Sequence, residues 1–282
     1  MAAEIIDGKK IADEVKKNIA KQIEGWKKKP GLATVLVGDN PASKVYVSRK
    51  NVTCKEYGFH SKEVTLPESV EQDELIKKIW ELNEDNKIHG ILVQLPLPSH
   101  IDENAVLNAI SPAKDVDGLT PNSMGRLLAG QPSFIPCTPR GVLHLIKSTG
   151  ISLSGKHAVV VGRSNLVGKP TAVLLLNEGC TLTVCHSKTL NLAEETKKAD
   201  VLVVAVGKPK LITGEMVKEG AIVIDVGITK NAEGKILGDV DFETVKEKAS
   251  FITPVPGGVG PMTIAMLLQN TFEAARRIEG LQ

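Results

Sequence analysis

A chain of 282 residues and 30.2 kDa, 42% hydrophobic and 24% charged, is long enough for two modest domains and needs no disulfide framework to hold a core. Its 35 basic and 33 acidic side chains leave a net charge of +2, too weak a field to recruit a long polyanion, so nucleic acid is excluded as a main partner. No apolar run of membrane-spanning length and no export signal stand in the sequence, and Cys54, Cys137, Cys180 and Cys185 form no Cys-x-x-Cys pair, so a cytoplasmic protein with reduced thiols and no membrane partner is expected.

In chain order the hydrophobic pattern predicts a helix over 11–26, a strand over 34–37, helices over 42–57 and 72–84, and a strand over 90–95. Asn40-Pro41 opens the second helix as an N-cap followed by a proline whose missing N–H costs nothing at that position. Residues 111–139, dense in proline and glycine, break the rhythm. It resumes with helices over 141–147 and 169–177, strands over 158–161, 181–185, 201–206 and 221–226, a helix over 242–248 and a long last helix over 261–278. Several strands are apolar on consecutive residues, as parallel strands covered on both faces require. The fold class is therefore α/β in two domains, the second a Rossmann-type doubly wound parallel sheet, with the boundary at the end of the proline-rich stretch and a long last helix that either finishes the second domain or folds back onto the first.

The stretch from His157 to Pro170 runs strand, Gly-rich turn, helix, which is the place for a phosphate: a helix start offers unpaired N–H groups and a positive dipole end. Gly162 and Gly168 permit close backbone approach, although Ser164 stands where the second glycine of Gly-x-Gly-x-x-Gly belongs and the last glycine is one residue late. The next strand should end at the ribose of a bound dinucleotide. An NAD enzyme usually places a carboxylate there; this chain has Cys185-His186-Ser187-Lys188-Thr189, with Arg163 in the preceding turn, so a 2′-phosphate and hence NADP is favoured. The strand ends at Ala205–Pro209 and Asp225–Ile228 stop on glycine and offer backbone to the nicotinamide ribose and ring.

In the first half, Tyr46 and Lys50 share one face of a helix. The Tyr-x-x-x-Lys pair of short-chain dehydrogenases follows its Gly-rich turn, whereas this one precedes it by over a hundred residues, so that reading fails. Gln94 closes an apolar strand before Pro96 and Pro98, and Lys114-Asp-Val-Asp-Gly-Leu119 lies in the following loop. Carboxyl ends of parallel strands are where α/β ligands bind, and a lysine stripped of water by such groups gives up its proton more readily. His89 and His100 read as structural, and no His or Cys cluster has metal-ligand spacing, so no metal is expected in the chemistry.

Together, Tyr46-x-x-x-Lys50, Val93-Gln-Leu-Pro-Leu-Pro98, Lys114-Asp-Val-Asp-Gly-Leu119, Gly162-Arg-Ser-x-x-Val-Gly-x-Pro170, Cys185-His-Ser-x-Thr189 and Thr253-Pro-Val-Pro-Gly-Gly-Val-Gly-Pro-Met-Thr263 resemble the bifunctional methylenetetrahydrofolate dehydrogenase/cyclohydrolase family from Ile5 to Ile278. The resemblance implies NADP-dependent oxidation of 5,10-methylenetetrahydrofolate to the methenyl cation and its hydrolysis to 10-formyltetrahydrofolate, with a monofunctional dehydrogenase as the alternative. It implies Lys50 as the proton-handling residue, Gln94 bonded to it, Tyr46 against the folate and Asp117 on the pterin edge. It further implies two α/β domains around a cleft, 1–138 and 139–262, with the C-terminal helix 263–282 returning to the first domain, Gly162, Arg163, Ser164, Ser187 and Ile228 as cofactor contacts, Pro256, Gly257 and Gly258 as a substrate-binding wall, and a homodimer formed through the second domain.

Overall fold

The computed structural model describes residues 2–231 and 233–281. The chain divides into two compact units: residues up to Asp13 together with Thr138–Thr263, and Glu14–Cys137 together with the residues from Ile264 onward. The first strand and helices, β1 (Glu4–Ile5), α1 (Gly8–Gln22), β2 (Gly31–Val37), α2 (Pro41–Glu56), β3 (His60–Leu66), α3 (Gln72–Glu84) and β4 (Gly90–Val93), are followed by α4 (Glu103–Asn108) and α5 (Pro121–Leu128). The later elements are α6 (Cys137–Ser148), β5 (His157–Val161), α7 (Gly168–Asn177), β6 (Thr181–Cys185), α8 (Leu192–Thr196), β7 (Val201–Val204), β8 (Ile222–Asp225), the short β9 (Thr229–Lys230) and β10 (Ile236–Leu237), α9 (Phe242–Val245), β11 (Phe251–Ile252) and α10 (Val259–Ile278).

One unit is built on a three-stranded parallel sheet in the order β3-β2-β4. The middle strand β2 is buried along its whole length, as the consecutive apolar residues of Gly31–Val37 demand. Val35, Ile79, Ile91 and Val106 meet in its core. β3 at the edge is mostly exposed and its sequence, His-Ser-Lys-Glu-Val-Thr-Leu, is polar, which is why apolar runs alone do not reveal it. Inside the proline-rich stretch, Thr120 caps α5 by accepting from the Ser123 N–H at 3.2 Å, with Pro121 at its first position.

The other unit carries a six-stranded parallel sheet in the order β1-β11-β8-β7-β5-β6. Here the division departs from the expected 1–138 domain: residues up to Asp13 cluster with the six-stranded sheet, because Glu4–Ile5 pairs in parallel with Phe251–Ile252. The chain leaves β5 through α7 to β6 on one side and returns through α8 to β7 on the other, so strand order reverses at β5, where doubly wound sheets bind ligands. The three-stranded sheet reverses in the same way at β2. Among the described residues no helix is long and apolar enough to cross a membrane.

Candidate functional site

In the three-stranded unit, α2 is seated on the sheet by Val47, Asn51 and Cys54, all buried. Asn51 accepts from the hydroxyls of Thr34 and Ser61, each at 3.0 Å, and donates to Glu63 at 2.7 Å, tying the helix to β2 and β3. That docking turns the Tyr46–Lys50 face toward the carboxyl end of β4. Lys50 Nζ donates to Gln94 Oε1 at 3.1 Å, while Gln94 Nε2 donates to the Leu95 carbonyl at 2.7 Å. The second bond fixes which way the amide points, so its oxygen is presented to the lysine. Gln94 follows the last residue of β4 and keeps its backbone N–H on the Val35 carbonyl at 2.9 Å; the Leu95–Pro96 peptide is cis. Tyr46, one helical turn before Lys50, is 44% exposed.

The loop bearing Asp117 is built by residues whose roles differ sharply along the motif. Lys114, buried, donates to the carbonyls of Leu82, Asn83 and Asp85 at 3.1, 2.6 and 2.9 Å, capping the end of α3. Burial lowers its pKa. Asp115, also buried, accepts from the N–H groups of Gly118 and Thr120, each at 3.0 Å, and from the Ser123 hydroxyl at 2.6 Å, which shapes the turn into α5. Gly118 adopts φ +69 and leaves no room for a Cβ, which would lie 2.7 Å from the Pro136 nitrogen. From α10, Asn270 donates to the carbonyls of Val116 and Ile135 at 2.7 and 2.9 Å. Asp117 is thereby held half-buried; desolvation pushes its carboxyl above the ordinary range, the Lys50 charge pulls it back, and Asp115 adds to the rise. Beside Lys50 on α2, burial pushes the Cys54 thiol up to about 12, so it stays protonated.

The six-stranded unit has its own site at the end of β5. Gly162 adopts φ +127, and a Cβ there would run into the Ala205 carbonyl, 3.0 Å from its carbon. A Cβ at Gly168 would fall on the Gly162 carbonyl, 2.5 Å from its carbon. Both glycines are thus dictated by backbone packing inside the turn, the role of the outer glycines in the dinucleotide fingerprint. The helix start is not open as the sequence implies: Ser164 Oγ accepts from the N–H groups of Val167 and Gly168 at 3.2 and 3.3 Å. A hydroxyl accepting two bonds still has its own proton to donate. Arg163 and Ser164 are exposed, and Ser187 is exposed at the end of the neighbouring strand β6. Gly162 N–H bonds to the Cys185 carbonyl at 2.8 Å, which brings the two strand ends together. With no carboxylate among them, these groups fit a phosphorylated ribose. Ile228, 48% exposed, follows β8.

The structure thus brings Tyr46, Lys50, Gln94 and Asp117 into one unit, and Gly162, Arg163, Ser164, Ser187 and Ile228 into the other. Pro256, Gly257 and Gly258 belong to the latter, in the turn between β11 and α10; the Val255–Pro256 peptide is cis, and the Gly257 carbonyl accepts from the Lys9 N–H at 3.0 Å. Sequence reasoning missed Asp115 and Asn270. A polar Asn within the apolar run of the last helix was the available signal for Asn270, and nothing distinguished Asp115 from Asp117. Among the described residues no group of three or more His, Cys, Asp or Glu side chains is placed to hold a metal.

Two family descriptions match the chain: tetrahydrofolate dehydrogenase/cyclohydrolase, catalytic domain, over residues 6–117, and tetrahydrofolate dehydrogenase/cyclohydrolase, NAD(P)-binding domain, over residues 136–279. The bifunctional protein FolD of Moorella thermoacetica is 57% identical over 280 residues, covering 98% of this chain and 100% of the relative. Among solved structures, the bifunctional FolD methylenetetrahydrofolate dehydrogenase/cyclohydrolase of Campylobacter jejuni superposes with a TM-score of 0.96 at 49% identity, covering 98% of this chain and 99% of that one. The FolD of Trypanosoma brucei, complexed with NADP cofactor and inhibitor, gives 0.93 at 39% identity, covering 98% of each chain.

Proposed function

The chain belongs to the tetrahydrofolate dehydrogenase/cyclohydrolase family, and from that premise we propose how its residues share the work. The protein oxidises 5,10-methylenetetrahydrofolate to the 5,10-methenyl cation with NADP, and hydrolyses that cation to 10-formyltetrahydrofolate. NADP supplies the ring that accepts the hydride. Arg163 and Ser187 hold the 2′-phosphate, Gly162 and Ser164 shape the turn that receives the diphosphate, and Ile228 lies against the nicotinamide half.

The hydration step needs a place for a proton more than it needs a metal, since the methenyl carbon is already electrophilic. Water adds to that carbon and loses one proton; the C–N bond to N5 then breaks as the adduct's hydroxyl gives up its proton and N5 takes one up, leaving the formyl group on N10 with one proton released overall. Lys50 handles that proton. Gln94 orients its Nζ, and the bond between them is the observation that carries the cyclohydrolase assignment. Asp117 grips the pterin edge, where a carboxyl biased toward protonation can both donate and accept. Tyr46 lies along the folate, and Pro256, Gly257 and Gly258, in the other unit, offer a surface poor in side chains. A purely dehydrogenase reading would leave the Lys50–Gln94 pair without a task.

We further propose a homodimer and a cytoplasmic location. A homodimer through the NADP-binding unit is supported by β6, an edge strand whose Val184 is exposed and whose following loop carries Leu190 at 85% exposure. A cytoplasmic location is supported by four free, buried cysteines. The experiment is NADP and NAD reduction by purified protein given 5,10-methylenetetrahydrofolate, with methenyl absorbance followed in the same cuvette. Rapid NADP reduction with little methenyl accumulation is expected; accumulation would remove the hydration role of Lys50 and Gln94.

A further inference from the structure

The turns that follow β7 and β8 are fastened to each other by two buried carboxylates that the chemistry above does not use. Asp239 is fully buried, and its Oδ2 accepts from the N–H groups of Val206 and Gly207 at 2.6 and 2.9 Å, just beyond β7. Asp225, at the end of β8, is 4% exposed. Its Oδ1 accepts from the N–H groups of Gly227 and Asp239, and its Oδ2 from that of Val240, all at 2.9 Å, while its own N–H donates to Thr253 Oγ1 at 2.8 Å. The contacts therefore run Thr253, Asp225, Asp239, Gly207 without a gap. Two glycines make room for them: a Cβ at Gly227 would lie 2.5 Å from the Asp239 nitrogen, and one at Gly238 would lie 2.7 Å from the Asp225 carboxyl carbon.

Placing two carboxylates side by side out of water is unfavourable, and the cost is visible here. Burial, aided by the Asp239 charge and opposed by the three N–H bonds, pushes Asp225 up to about 6. Asp239 Oδ1 is buried with no partner among the described residues. Simple strand capping would be served by one such group. What the pair adds is coupling: Gly207 and Ile228, both exposed, stand on turns locked to one another.

We propose that Asp239, acting with Asp225, is a positioning residue of the dehydrogenase, clamping the turns after β7 and β8 into one fixed surface for the nicotinamide-riboside end of NADP. This rests on the assignment of those strand ends to the nicotinamide half. Neither carboxylate touches the cofactor; both act through backbone. Because only Oδ2 of Asp239 is engaged, an amide oxygen at that place can accept the same two N–H bonds, so Asp239→Asn preserves the clamp and Asp239→Ala removes it.

The test compares dehydrogenase kcat and KM for NADP, cyclohydrolase activity on supplied methenyltetrahydrofolate, and affinity for adenosine 2′,5′-bisphosphate, which lacks the nicotinamide half. Asp239→Ala is expected to lower dehydrogenase kcat/KM for NADP by about 10- to 100-fold, the range a misplacement near 1 Å produces. Adenosine 2′,5′-bisphosphate affinity and cyclohydrolase activity stay within about twofold, and Asp239→Asn recovers most of the loss. Unchanged dehydrogenase activity in Asp239→Ala, or parallel loss of all three readouts with no recovery in Asp239→Asn, would overturn the proposal. Ile228→Trp separates the underlying assignment: an unchanged KM for NADP there removes it, whereas a raised KM alongside an inert Asp239→Ala leaves it standing and the clamp refuted.

Discussion

Adding one methyl group at residue 168 should cost the protein its cofactor while sparing the hydration reaction. A Cβ on Gly168 would meet the Gly162 carbonyl, 2.5 Å from its carbon and 2.8 Å from the Arg163 nitrogen. Carbon atoms in ordinary contact sit about 3.5–4.0 Å apart, so the deficit is roughly 1 Å. The obstructing atoms are all main chain, and no side-chain rotation can relieve them. Either the first turn of α7 withdraws or the Gly162–Arg163 peptide does, and both movements displace Arg163 and the Ser164 hydroxyl that bonds to the helix start. Overpacking of this kind costs about 1–3 kcal/mol, which is roughly 5- to 150-fold in affinity. Calorimetric titration of Gly168→Ala with NADP and with adenosine 2′,5′-bisphosphate should show both weakened in that range. Cyclohydrolase activity is the internal control, because Lys50, Gln94 and Asp117 belong to the other unit. Gly162→Ala should be at least as severe, since φ +127 adds backbone strain to its clash with Ala205. NADP affinity in Gly168→Ala within about threefold of the parent would refute the claim that turn geometry sets the cofactor site.

Arg163→Ala should weaken NADP by about 10- to 100-fold through loss of charge-assisted bonds to the 2′-phosphate while changing NAD use little; parallel kinetics with both cofactors settle it, and an equal loss would remove the specificity role. Lys50→Met should slow methenyl hydrolysis by about 10²–10⁴-fold, read as the decay of methenyl absorbance, and a full rate would sink its assignment as the proton-handling group. His89 accepts from the Gly31 N–H at 2.9 Å and meets Glu279 at 3.1 Å, fastening the end of α10 beside Lys28. Burial lowers the His89 pKa below its ordinary 6.5, so the unfolded chain takes up the proton first; this contribution is whole above pH 6.5 and is lost as pH falls below it. Thermal melts between pH 7.5 and 5 should therefore show a shallower acid slope for His89→Gln than for the parent, and coincident slopes would contradict the linkage.

How legible these features were depended on how locally each was encoded. The start of α2 was readable because Asn40 caps within three residues, its side chain accepting from the Ser43 N–H at 3.2 Å. Thr120-Pro121 carries the same signal, but surrounding prolines masked α5. β1 is two residues long and leaves no period to read; its existence depends on a partner 247 residues away, Glu4 facing Phe251. The Tyr46–Lys50 pair was visible as a Tyr and Lys at helical spacing, yet the bond to Gln94 spans 44 residues and came from resemblance. Within Lys114–Leu119 the sequence offers three charged side chains, and only packing separates them: Lys114 caps a helix, Asp115 shapes a turn, and Asp117 is left to face Lys50.

Under the proposed residue roles, the same topological event places the chemistry in each unit, and the two outcomes differ because the ligands do. In the three-stranded sheet the chain runs from β2 to β3 and then crosses back to β4; in the six-stranded sheet it runs from β5 to β6 and crosses back to β7. At such a reversal the connections diverge and leave the carboxyl ends of the strands open. A diphosphate at the β5 end asks for fixed donors and a tight turn, so the residues there are glycines packed main chain to main chain, with Ser164 and Arg163 at the surface. A cationic carbon awaiting water asks for a group that can gain and lose a proton, which backbone cannot do. The β2 reversal accordingly supplies side chains: Lys50 from the helix that leaves β2, Gln94 from the strand that returns beside it, and Asp117 from the loop behind. Exchanging Lys50 for another cation of fixed charge should therefore preserve folate binding better than turnover, and Lys50→Arg, compared with Lys50→Met in binding and in methenyl hydrolysis, separates charge from proton transfer. Full hydrolysis by Lys50→Arg would mean that charge alone suffices.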